Sequence, residues 1–154
     1  MLDTRHIAAA LLALSPLLTG VTCGVGPEDL REATRTGELR GDQVVPPVET
    51  AAEGRATARL FGNIVSLQGE FSNLGSAVLP QAEDAIRFRL GAAGEADGDV
   101  LLAMDAASVD GRTGSFAGDV TLDDELVELF LAGQTWVEVR TEAHPAGELR
   151  AQLQ

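Results

Sequence analysis

Arg55-Ala56-Thr57-Ala58-Arg59-Leu60-Phe61-Gly62-Asn63-Ile64-Val65-Ser66-Leu67-Gln68-Gly69-Glu70-Phe71 is the stretch that decides the fold. It alternates polar and apolar residues on both sides of a Gly-Asn dipeptide. Side chains two apart on a strand share a face, so this is the pattern of a β-hairpin with one face buried. The same period recurs downstream. In Ile86-Arg87-Phe88-Arg89-Leu90 the apolar residues point one way and Arg87 and Arg89 the other. Residues 100–104, 114–120, 136–141 and 148–153 complete a set of short strands separated by turn residues. Many short alternating strands at such spacing predict an all-β, antiparallel, Greek-key-like β-sandwich. In the last strand Glu148 and Arg150 fall on one face, and Leu149, Ala151 and Leu153 on the other.

One segment breaks the rhythm. Asp123-Asp124-Glu125 precedes Leu126, Leu129 and Phe130, and Gly133 follows. Acids at the start, i, i+3, i+4 apolar spacing and a terminal glycine predict a short helix over 123–132 that caps one end of the sandwich. Gly-Glu-Leu-Arg occurs at 37–40 and again at 147–150, which two similar edge strands or chance would equally produce. Val45-Pro46-Pro47-Val48 is excluded from a central strand, because successive prolines lack ladder donors. It reads as an extended crossover with its valines packed inward.

Upstream, Arg5 and His6 precede an apolar run over residues 7–18. The run is too short to span a bilayer and matches a secretory signal, so residues 1–22 are set apart from the fold. Cys23, the only cysteine, lies where a lipoprotein signal places the residue that is acylated after cleavage. Gly20 and Thr22 depart from that signal's usual residues, and a conventional secretory signal is the alternative. Residues 23–36 read as a linker and 37–154 as the folded domain. The protein is thus expected to be exported, either lipid-anchored in the cell envelope or secreted or periplasmic. Its only membrane contact would run through Cys23.

The chain has 154 residues, enough for one core, and a formal net charge of -13 with no lysine. That charge repels phosphate backbones and argues against nucleic acid. One Trp, five Phe and no Tyr give little stacking surface for sugars.

Three stretches resemble the chordin-type (CHRD) domain family: 39–50, with Val-Pro-Pro-Val and Thr50; 86–98, with Arg87 and Arg89 and a Gly-rich turn; and 131–153, with Trp136-Val137-Glu138-Val139-Arg140-Thr141 and Gly147-Glu148-Leu149-Arg150. The resemblance implies an exported bacterial CHRD-domain protein with a sandwich of the immunoglobulin or copper-zinc superoxide dismutase kind. Animal members belong to a secreted antagonist that binds growth factors. Typical members carry a His-x-His pair and a third His, which suits a metal. The matching positions here are Arg87, Arg89 and Arg140, with Glu138 beside them. Arginine has no lone pair for a metal, so no metal or other cofactor is expected.

The Arg87, Arg89, Trp136, Glu138, Arg140 face then has two readings. It is an anion- or partner-binding patch, with Trp136 placed to stack on an arginine, or it is an exposed Arg-Glu ion-pair network. Acidic turns at 95–99 and 119–125 carry oxygen ligands that suit calcium, but match no known calcium loop. The expected function is a non-catalytic binding or structural module of the cell envelope, its partner an unknown protein or anionic ligand. The alternative, a metal or redox enzyme of the dismutase fold, is disfavoured by the three arginines.

Overall fold

The computed structural model describes residues 31–80 and 84–154. The expected signal, Cys23 and the linker as far as residue 30 lie outside them. Nine strands are present among the described residues: β1 (Glu32–Arg40), β2 (Glu53–Phe61), β3 (Ile64–Ser72), β4 (Ile86–Leu90), β5 (Val100–Met104), β6 (Ala107–Ser108), β7 (Gly114–Thr121), β8 (Thr135–Val139) and β9 (Leu149–Gln152), with helix α1 (Asp124–Leu131) between β7 and β8. All strand pairings are antiparallel. The protein is all-β, as its alternation implies.

The strands form one continuous sheet in the order β5-β4-β8-β9-β1-β2-β3-β7-β6. It curls so that its halves face each other. Ala58, Leu60, Val65, Leu67 and Phe116 from one half join Ile86, Phe88, Val137, Val139, Leu149 and Leu153 from the other in a single buried cluster. The halves meet at a seam between β1 and β9. There Arg40 lies opposite Arg150, and Thr36 and Gln154 exchange two backbone hydrogen bonds of 3.0 Å. The two Gly-Glu-Leu-Arg copies are therefore central neighbours, not edge strands. The true edges are β5 and β6, and only Asp105 and Ala106 separate these two strands in sequence. Leu102 and Met104 of β5 lie against Gly118 of β7, which brings the β5 edge against the strand next to β6.

β1 begins at Glu32, so the strand takes up residues 32–36 that sequence assigned to the linker. Those residues show no apolar alternation because their inward positions do other work. Arg35, facing inward, donates from Nη2 to the Leu131 carbonyl at the C-terminus of α1, where a cation is favoured. The helix starts as its acids predict. Asp123 accepts a 2.9 Å hydrogen bond from the Leu126 amide. Its buried side chains are Val127 and Phe130, with Leu126 and Leu131 partly packed, so the inward stripe includes a valine that the i, i+3, i+4 count passed over.

The Val-Pro-Pro-Val segment is irregular and contains a cis Val45–Pro46 peptide. Its flanking valines are not packed inward as expected: Val45 is exposed and Val48 only half-buried, whereas Val44, just before the segment, is buried. The amides of Val44 and Val48 both donate to the Gly41 carbonyl, at 3.1 and 2.9 Å. This folds the segment back toward the β8–β9 surface.

Candidate functional site

The outward side chains of β4, β8 and β9 form a grid fixed by strand register. One row runs Arg87, Glu138, Arg150, Arg40, and the next runs Arg89, Trp136, Gln152. On a half-exposed sheet this face would be wet. Here it is covered, and every residue of β8 and β9 is buried. The expected exposed network or patch is therefore a largely covered cluster, in which Arg87, Arg89 and Arg140 keep moderate exposure.

The cover is the loop over residues 91–98, and Arg150 is its main fastening. Arg150, 3% exposed, donates to the Glu95 carbonyl and, at 3.1 Å, to the Ala92 carbonyl. Its guanidinium stacks on Trp136, 3.9 Å from the ring centroid. Arg89 sits 5.2 Å from the same ring. Such cation–π contacts strengthen when water is excluded. Gln152 ties a second edge of the cover by donating to the carbonyls of Gly91 (3.1 Å), Gly133 (2.8 Å) and Thr135 (3.1 Å). The loop can lie this close because residue 91 is glycine. A Cβ there would come within 2.9 Å of Trp136 Nε1.

Glu138 is nearly buried, its side chain 5% exposed, and it forms a 3.2 Å ion pair with Arg89. Arg89 also donates to the Gly98 carbonyl at 3.0 Å. Burial pushes the Glu138 carboxyl above its ordinary range, outweighing the pull of Arg89, Arg87, Arg140 and Arg150. Burial also lowers the Arg150 pKa, against the attraction of Glu138 and Glu95. A raised carboxyl means that the folded chain holds this proton more tightly than the unfolded chain does. The resulting stability is fully present below the ordinary value of 4.5 and is lost as pH rises through the raised one. Compared with Glu138→Gln, which cannot ionise, the wild-type protein should thus lose stability on going from pH 4 to pH 8. The slope cannot exceed about 1.4 kcal/mol per pH unit. Urea midpoints of the two proteins across that range check this, and parallel curves would refute it.

Arg87 reaches Asp84 at 3.7 Å, and its buried Nε has no hydrogen-bond partner among the described residues. Arg140 donates to the carbonyls of Pro145 (2.6 Å) and Asp84 (3.1 Å). The three arginines at the positions where the resemblance places histidines thus hold carbonyls and carboxylates, and their chemistry does not fit a metal ion. Of the two acidic turns, the first has Glu95 accepting from the Ala92 amide and the second has Asp123 capping α1. The hollow among Val44, Ala96, Trp136, Glu138 and Arg150 measures about 10 Å³. That is room for about one water molecule and not for a ligand. Two open concavities of about 660 Å³ are present among the described residues: one lies over the outer surface of β1, β2, β3 and β7, between Glu38, Arg40, Glu53, Arg55 and Glu70, and the other beside Thr36, Gln43, Ala93 and Gln152 at the border of the cluster.

Sequence reasoning missed Arg150 and Gln152 as members of this cluster, and it missed the role of Glu148. Glu148 is fully buried. One carboxylate oxygen accepts from Thr50 Oγ1 (2.8 Å) and the Gly75 amide (2.7 Å), and the other from Thr141 Oγ1 (2.9 Å). Thr50, from the first of the three stretches, and Thr141, from the last, thus meet with the Gly75 amide on this one carboxylate.

The CHRD domain family model matches residues 35–153. No curated protein and no solved structure matches the chain.

Proposed function

The chain belongs to the CHRD domain family, and from that premise we propose that it is a non-catalytic binding or structural module of the cell envelope, exported and held there by acylation of Cys23. One observation carries the non-catalytic part. The polar groups gathered on the β4–β8–β9 face are engaged in fastening loops, with Arg150, Glu138 and Gln152 buried under the cover they hold. A catalytic group must reach a substrate, and these reach carbonyls of their own chain. The open groove beside Glu38, Arg55 and Glu70 offers a partner the room that the arginine cluster does not. The partner is a protein met there or an anionic group met at Arg87 and Arg140.

Anchoring is supported by the place of Cys23 after the apolar run at residues 7–18. Expression in a bacterial host, fractionation and mass spectrometry of the N-terminal peptide test it. The expected result is a membrane-bound protein beginning at an acylated Cys23, with Cys23→Ala losing that modification. A cytoplasmic protein that retains Met1 would overturn export. Stoichiometric copper or zinc with redox activity in the purified protein would overturn the non-catalytic reading.

A further inference from the structure

We propose that the turn joining β2 and β3 is a bilayer contact that orients the anchored domain, with Phe61 and Ile64 entering the headgroup region. This rests on the acylation of Cys23 proposed above. Phe61 and Ile64 face each other across the turn and are 59% and 47% exposed, among the most exposed large apolar side chains described. An outward aromatic–aliphatic pair at a hairpin tip buries nothing within the domain. The turn that displays it is tight, with Gly62 at φ 63°, a conformation that glycine adopts without strain.

The occupant is argued from where the chain enters. The Gly62 amide donates a 2.8 Å hydrogen bond to the Arg31 carbonyl, and Glu32 is the cross-strand partner of Phe61. The segment leading from Cys23 therefore joins the domain at this tip. Nine peptide steps separate Cys23 from Glu32, a reach of at most about 32 Å when fully extended. An acyl anchor on Cys23 holds the tip within that distance of the bilayer, where local concentrations reach the millimolar range. Under such tethering a weak interfacial preference of two side chains suffices to choose which end faces the lipid. The nearby charges select the lipid. Asp124 and Glu128 of α1 lie beside Arg31, at 3.5 and 3.4 Å, and Glu32 adjoins Phe61. This acidic surround disfavours anionic headgroups and fits a zwitterionic surface.

The test uses the acylated full-length protein in phosphatidylcholine–phosphatidylethanolamine vesicles containing brominated phosphatidylcholine. Thioether acylation occupies Cys23, the sole cysteine, so Asn63→Cys or Glu53→Cys provides a single thiol for a fluorophore. Glu53 lies at the far end of β2, eight residues from Phe61 and about 26 Å away at strand rise. Bromolipid quenching should be at least twofold stronger at residue 63 than at residue 53, and Phe61→Ser/Ile64→Ser should remove the difference. Intact mass reports acylation in every sample. Acylated protein with equal quenching at both positions overturns the orientation alone. So does self-association through residue 63 without bromolipid quenching, which assigns the tip to a second copy. A mass without acyl chains overturns the anchoring, and the orientation with it.

Discussion

Replacing Glu148 by Ala should destabilise the domain by about 3–5 kcal/mol, the largest loss expected from any single side chain considered above. A hydrogen bond to a charged group contributes about 1.5–3 kcal/mol, and a buried donor left without its acceptor costs about 1–3. Glu148 accepts three, from Thr50, Gly75 and Thr141, with no exposure to water. The sum is not additive, because the loops carrying Thr50 and Gly75 relax once released. Glu148→Gln keeps one carbonyl oxygen for Thr50 and Gly75, and the Thr141 hydroxyl can turn to accept from the new amide. It should cost about half as much. Urea midpoints decide the matter: if Glu148→Ala costs no more than Glu53→Ala on the exposed face of β2, the clamp has no energetic role.

Arg150→Ala should cost about 3–4 kcal/mol, and it has a second readout. The substitution leaves the Ala92 and Glu95 carbonyls without their buried donor, takes one cation from the surroundings of Glu138 and bares a face of Trp136. Removing one member of a buried charged cluster typically costs about 3–5 kcal/mol. Arg150→Lys retains the charge but loses the planar fork and the stack, so it should recover less than half of the loss. Trp136 is the only tryptophan in the chain. Its emission in the folded state should shift to longer wavelength in Arg150→Ala as the 91–98 cover loosens. An unchanged spectrum together with an unchanged urea midpoint would show that Arg150 does not fasten the loop.

The two substitutions bear on how much the sequence discloses. Alternation in residues 55–71 and 86–90 revealed the β2–β3 hairpin, whose strands each have one solvated face, and the inward set of β4, whose outward positions are partly exposed arginines. It misjudged β8 and β9 for the opposite reason. Both of their faces are covered, one by the core and the other by the 91–98 loop and the segment around Val44. Polar residues at alternate positions read as wet, and nothing local says that a loop lies over them. The first half of β1 was illegible because an inward arginine serving the end of α1 looks like a linker charge. Trp136 was correctly paired with an arginine in kind, but its nearest partner is Arg150 from the neighbouring strand. Only the β8–β9 register brings those two together. Glu148 was assigned to the same face as Arg150, yet its partners come from positions 50, 75 and 141, a convergence that spacing cannot encode.

The packing of β5 against β7 has a consequence for behaviour at high density. The first and last strands of the sheet are consecutive in the chain, and the first packs through Leu102 and Met104 against Gly118 of β7, the strand beside the last. A sheet with open borders offers unpaired amides and carbonyls as a template on which fibrils grow. Here growth from the β5 border would first require that strand to be prised off β7, which exposes Leu102 and Met104. A protein of this kind can be crowded on a surface without polymerising from that border, and the packing of β5 across the sheet is what confers the resistance.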